Sequence, residues 1–186
     1  PPELVPQAEQ SGLKAVLGKA PGQHMFMAFL GVHQNNKVRP TDAVNPDSSA
    51  QWLYPNSPLL DARVRRALNK AINRDELNKA YFRGKGEPVY NQWFHPSRPG
   101  WNPAWQQNFQ ATYGYDPTAV RQLLQESNYG PSNRLKVTLL LRTQGFAPWV
   151  ADMVESVGNS WRAAGIEVVL DQIDQPTFLN RWNRLE

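Results

Sequence analysis

The sequence predicts an α/β (α+β) chain, a mixed β-sheet with helices packed against it. Three observations carry this. Residues 135–141 and 166–173 are short apolar runs of strand length, and the segment between them, 147–164, has a helical apolar stripe. A second stripe, Val64, Ala67, Leu68, Ala71 and Ile72, follows the i, i+3, i+4, i+7, i+8 spacing of an amphipathic helix. The 16 prolines and 12 glycines among 186 residues punctuate the chain into short elements joined by long loops.

In chain order, residues 3–10 suit a short helix, and Leu13 to Leu17 alternates weakly, as a strand does. Pro21-Gly22 marks a turn, and His24 to Val32, rich in Met, Phe and Leu, reads as a buried strand. The polar stretch 34–57 holds three prolines and four asparagines. It reads as an inserted or functional loop, because ordinary connections are much shorter. Asp61 is placed to cap the next helix, since its carboxylate can accept free amides of the first turn. Another helix begins near Arg74 and stops at Gly84.

Residues 85–115 show no period and read as irregular chain rich in aromatic residues. Asp116-Pro117 then opens a helix with cap and N1 proline in the favoured order. Its buried face is Val120, Leu123 and Leu124, and Gly130-Pro131 ends it. Leu135 to Leu141 is apolar enough for a strand covered on both faces. After a turn at Gln144-Gly145, helix 147–164 buries Val150, Met153, Val154, Val157, Trp161 and Ala164, with Gly165 just past its end. Ile166 to Ile173 completes a βαβ unit, parallel and right-handed if both strands share a sheet. Asp174 caps a last helix with Phe178, Leu179 and Trp182 facing inward.

Composition removes several kinds of chemistry. The absence of cysteine excludes disulfides, cysteine zinc sites, iron–sulfur clusters and thiol nucleophiles. The net charge of +4 is mild and the basic residues are dispersed, apart from Arg63, Arg65 and Arg66, so nucleic acid is not an expected partner. No stretch approaches the length of a membrane span. His24, His33 and His95 lack the i, i+4 spacing and acidic companions of a metal site, and no cofactor is expected. There is no G-x-S-x-G elbow, and Gly84-Lys85-Gly86 lacks the remainder of a phosphate loop. Asp174 is accounted for as a cap and Asp171 as an outward strand residue, so no catalytic residue is assigned and no enzyme is expected.

Seven tryptophans remain. Trp149, Trp161 and Trp182 fall at helical apolar positions. Trp93, Phe94, Trp101 and Trp105 lie in irregular chain, where two readings stay open: a small apolar cluster stapling the loop, or the aromatic wall of a ligand pocket.

The segment from Pro58 to Leu77, PLLDARVRRALNKAINRDEL, resembles the signature of the family 5 extracellular solute-binding proteins, the oligopeptide, dipeptide and nickel binders of ABC importers. Gly84 to Pro88 resembles the step that follows it. Tyr115-Asp116-Pro117 through Asn128-Tyr129-Gly130 resembles the family's YDP helix, and Leu135–Leu141 with Trp161 to Val168 resembles its strand–helix–strand. Thr177-Phe178-Leu179 fits the segment after that, while residues 1–33 fit more loosely. The insertion at 34–57 departs from the pattern.

The resemblance implies a periplasmic-binding-protein-like fold of two lobes closing on a ligand, with residues 1–186 forming a single domain inside the second lobe. Its implied partners are a peptide or similar small solute, the first lobe of the same protein, and an ABC permease. Its implied location is periplasmic, or lipid-anchored at the outer face of the membrane, with the export signal expected outside these residues. In the family the turn after strand 135–141 faces the ligand, which here assigns Arg142, Thr143, Gln144 and Phe146 to the ligand site, with Trp93 and Phe94 as candidate pocket walls. Arg142 suits a ligand carboxylate because a guanidinium binds it bidentately. It also suits a solvated strand end. Two other readings stand beside the transport one: a ligand-sensing domain of a transcriptional regulator, and a hydrolase.

Overall fold

The computed structural model describes residues 4–14, 16, 27–33, 52–91, 94–142 and 149–184. Along them lie α1 (Val5–Gln10), α2 (Ala62–Lys70), α3 (Arg74–Phe82), α4 (Pro103–Tyr113), α5 (Pro117–Glu126), β1 (Lys136–Arg142), α6 (Trp149–Ala163), β2 (Glu167–Ile173) and α7 (Gln175–Arg184). The expected α/β class is present, with β1 and β2 paired in parallel from Lys136↔Glu167 to Arg142↔Ile173. The Glu167 amide starts the ladder by donating to the Leu135 carbonyl at 2.8 Å.

Successive strand residues point to opposite faces of a sheet. Val137, Leu139 and Leu141 are buried, whereas Lys136 and Thr138 are exposed. β1 therefore buries one face, not the two that its apolar run suggested. The other face carries the Lys136–Glu167 ion pair at 2.9 Å and an exposed Val169.

One core gathers α2, α5, β1 and α6 through Val64, Leu68, Val120, Leu124, Leu139 and Trp161. Leu68, Leu135, Val64 and Val120 are fully buried, each contributing about 2 kcal/mol by removal of apolar surface from water. The α2 stripe is thus the core stripe that its spacing predicts. Trp161 reaches across to this helix, its indole Nε1–H donating to the Leu68 carbonyl at 2.9 Å. That carbonyl lies in the last turn of α2, where helix acceptors lack partners within the helix.

Caps fix where the helices begin. Asp116 accepts the Ala119 amide at 2.9 Å and Asp174 the Thr177 amide at 2.8 Å, as expected. Asp61 accepts the Arg63 amide at 2.8 Å and also pairs with the Arg63 guanidinium at 2.7 Å. That guanidinium, opposed only in part by desolvation, holds the Asp61 carboxyl down at about 2. A carboxyl lowered in the folded state stabilises the fold above its unfolded value and loses that contribution as pH falls through the folded one. Unfolding midpoints in urea are therefore expected to fall between pH 4 and 2. Asp61→Asn should flatten that part of the profile; a profile unchanged by the substitution would contradict the assignment.

Several boundaries differ from expectation. Residues 13, 14 and 16 form no strand, and neither do 27–29; Leu30–Val32 is a 3-10 turn. Their apolar residues were strand-like in type, but their described backbone pairs with no other strand. Residues 24–26, including His24, lie outside the described residues. The irregular stretch 85–115 contains α4, capped by Asn102 with Pro103 in its first turn. Helix α5 ends at Glu126, before Gly130, because Asn128 turns the chain left-handed at φ 64°. Helix α3 ends at Phe82, with Arg83 at φ 56° and Gly84 at φ 73°. Asn78 then clips the returning chain, accepting the Gly86 amide at 2.8 Å and donating to its carbonyl at 2.9 Å. A Cβ at Gly86 would lie 2.7 Å from Asn78 Oδ1, so a larger residue there would displace the Asn78 amide from the clip.

Of the 34–57 loop, residues 34–51 lie outside the described residues. Its stem is closed by the Leu53 amide, which donates to the His33 carbonyl at 2.9 Å. The segment thus leaves and returns at one place.

Candidate functional site

In open α/β folds, ligands bind beyond the carboxyl ends of the strands, where loops and helix N-termini converge. Here that end is made by Arg142 of β1 and Ile173 of β2, which are in register. Helix α7 follows β2 after the single residue Asp174. The Thr177 side chain and amide, bonded to the Asp174 carboxyl, hold it below the usual carboxylate range.

Leu140 is in register with Asp171, as Arg142 is with Ile173, so Asp171 and Arg142 sit on the sheet face opposite Leu139 and Leu141. Helix α7 meets this face through Phe178 and Arg181. The Arg142 guanidinium lies over the Phe178 ring, 4.9 Å from its centroid. Arg181 Nη1 pairs with Asp171 Oδ2 at 2.6 Å. Phe178 and Arg181 are three residues apart on a helix and so share a face. Phe178 also stacks on Trp182, centroids 5.9 Å apart and planes at 27°. The inward face of α7 is therefore Phe178 and Arg181, while Leu179 and Trp182 are each 47% exposed, contrary to the inward orientation expected for them.

Thr143, Gln144 and Phe146 lie outside the described residues, as does Trp93. Beyond them α6 begins with Trp149, set edge-on to Phe82 at 5.2 Å. Ser156 of α6 shares a 2.7 Å hydrogen bond with the Tyr81 hydroxyl, giving this mid-helix serine a tie to α3.

Phe94 belongs to a different neighbourhood. It packs 5.2 Å from Trp105, which meets Trp101 edge-on at 5.4 Å. Tyr90 links Trp101 to Phe109, and Phe109 touches Tyr113. The rings staple α4 to the preceding loop, and Phe94 remains 39% exposed. So the sequence's candidates divide: Arg142 packs on α7 at the sheet end, Phe94 in the α4 cluster.

His95 sits nearby. Its Nδ1 accepts the Ser97 amide at 3.2 Å and lies 2.7 Å from Ser97 Oγ, while Nε2 lies 3.3 Å from Glu87 Oε2. Because an amide must donate, Nδ1 is the acceptor and Nε2 carries the proton toward Glu87. The same Nδ1 that meets the hydroxyl also closes the turn. Among the described residues no three of His, Asp and Glu gather as metal ligands, and no helix is long and apolar enough to cross a membrane.

Sequence reasoning named Arg142 at the strand end but did not place Phe178 beneath it or pair Asp171 with Arg181. The cap at Asp174 sets the phase of α7, and that phase places 178, 181 and 182 together. The parallel register was the missing piece.

The model of the bacterial extracellular solute-binding proteins, family 5 Middle, matches residues 1–186. The chain belongs to this family. It is similar to the dipeptide-binding protein of Escherichia coli K12, 27% identical over 124 residues, which cover 67% of this chain and 22% of that protein. It is also similar to a putative ABC transporter peptide-binding protein of Brucella ovis, 31% identical over 120 residues, 63% of this chain and 21% of that one. Among solved structures, the murein tripeptide binding protein MppA of Escherichia coli superimposes with a TM-score of 0.55 at 25% identity, over 70% of this chain and 25% of that one. The oligopeptide-binding protein OppA gives 0.55 at 26% identity, over 67% and 20%. The chain thus spans about a fifth of the length of the curated relatives it matches, 22% and 21%. The family is one of binding proteins, described as extracellular.

Proposed function

We propose that this chain is the ligand-capturing lobe of an extracytoplasmic solute-binding protein that delivers peptides or similar small solutes to an ABC importer, without catalysing a reaction. The observation that carries the reading is family membership over residues 1–186. The named relatives bind a dipeptide, a murein tripeptide or oligopeptides. Peptides present a terminal carboxylate, and Arg142 at the carboxyl end of β1 is suited to meet it, with Thr143, Gln144 and Phe146 following it in sequence. A guanidinium has the planar fork that a carboxylate pairs with bidentately. The exposed edge of Phe94, beside Trp93 in sequence, is the second surface proposed to meet ligand.

The proposed mechanism is a difference in affinity. Ligand bridges this lobe and a second one supplied by the rest of the protein, so the closed state is favoured and the permease recognises it. Calorimetry on the full-length protein tests the anchor. Arg142→Ala should weaken trialanine by about tenfold to a hundredfold, as loss of one partner of a desolvated ion pair does. It should leave the C-terminal amide of trialanine nearly unaffected. An equal loss for both peptides would refute the carboxylate role.

A further inference from the structure

We propose that the outer face of the sheet and the adjoining stripe of α7 form an internal docking surface, covered in the full-length protein by an apolar segment of the same polypeptide outside residues 1–186. This packing does not depend on which ligand the protein takes.

Three observations support it. The first is the partial cover of a parallel sheet, a kind of sheet that occurs almost only with both faces covered. One face of β1 and β2 packs into the core through Val137, Leu139 and Leu170. On the other face α7 lies beside Arg142 and Asp171. Two residues back from Asp171 on that face, Val169 is 40% exposed, and its register partner Thr138 is exposed as well. The second is where apolar exposure continues. Leu179 and Trp182, three residues apart, share the stripe of α7 beside its inward one, and each is 47% exposed. Exposed apolar side chains thus occur on both elements that form this side of the molecule. The Lys136–Glu167 ion pair at the start of the strands marks where the face turns to solvent. The third is size, which decides between occupants. A stable complex of separate molecules uses about 20–30 residues a side. Three apolar side chains fall far short of that, which disfavours a second copy of the chain. A segment of the same polypeptide loses no independent translation or rotation on packing, so a small apolar surface suffices to hold it. The relatives show that such chain exists in the family, since this sequence spans only 22% and 21% of theirs.

Thiol alkylation of the full-length protein tests this. Residues 1–186 contain no cysteine, so Val169→Cys and Leu179→Cys each place one reporter on the surface, read by mass spectrometry of the peptide that carries it. Each cysteine is compared with itself in urea. Both should react at least about a hundredfold more slowly in the native protein, the protection given by packing that opens only rarely. Neither rate should change with protein concentration or with saturating trialanine. Native rates within a few-fold of those in urea, at either position, would overturn the proposal, because the surface would then be open to solvent. Protection lost on dilution would assign the surface to a second copy, and protection seen only with trialanine would assign it to ligand-driven closure; either result overturns the proposal too. Should one variant fail to fold, the other reports on the same surface.

Discussion

Trp161→Ala is expected to remove about 3–5 kcal/mol of folding stability, the usual cost of deleting a large buried aromatic side chain. Trp161 is 3% exposed, and its indole reaches from α6 to the last turn of α2. Its removal opens a cavity between the two helices. It also strips the Leu68 carbonyl of the indole N–H that reaches it at 2.9 Å. A small domain has about 5–15 kcal/mol in total, so most of the margin would go. Trp161→Phe separates the two effects. It keeps much of the apolar volume and loses the donor, and should cost about 1–3 kcal/mol for the unsatisfied carbonyl together with the smaller ring. Urea unfolding followed by circular dichroism measures both. If the phenylalanine variant matches the parent, the hydrogen bond contributes nothing.

Arg74→Ala is expected to cost about 2–3 kcal/mol, the range for hydrogen bonds made by a charged group. Arg74 donates to the Asn69 carbonyl at 3.2 Å, the Tyr113 carbonyl at 3.2 Å and Asn69 Oδ1 at 2.9 Å. Its guanidinium carbon also lies 5.3 Å from the Phe109 centroid. One side chain thus ties the end of α2, the start of α3 and the end of α4. Burial lowers its pKa, but an arginine side chain stays protonated at any ordinary pH. Lysine offers a single point charge in place of a planar fork, so Arg74→Lys should recover less than half of the loss. Full recovery in Arg74→Lys would show that charge alone, not the fork, holds the three helix ends together.

These two residues also mark how far the sequence could be read. The α2 stripe and the Asp61, Asp116 and Asp174 caps were legible because each depends only on residues close together in the sequence. Strand pairing between 136–142 and 167–173 was legible because the intervening helix permits a parallel crossover. Helix α4 escaped notice although Asn102-Pro103 repeats the cap-and-proline order of Asp116-Pro117; its rings at 105, 109 and 113 serve an aromatic cluster, and the surrounding prolines masked their spacing of four. The apolar run at 27–32 had strand composition, but among the described residues it has no strand partner. Arg74 was read only as a helix start, since its partners at Tyr113 and Phe109 come together through folding. At the candidate site, Arg142 was visible as the end of a strand. That Phe178 lies over it, and that Asp171 and Arg181 fasten the helix carrying Phe178, depends on register between segments far apart in sequence. Local pattern carries no such information.

This chain is proposed to capture a peptide-like solute as one half of a two-lobed site. Calorimetric titration of trialanine into the full-length protein and, in parallel, into the 186-residue chain tests it most directly. The full-length protein is expected to bind at micromolar affinity or tighter, about −8 kcal/mol or better, and the chain alone at least a hundredfold more weakly. Equal affinity in the two would contradict the claim, because this chain would then hold a complete site.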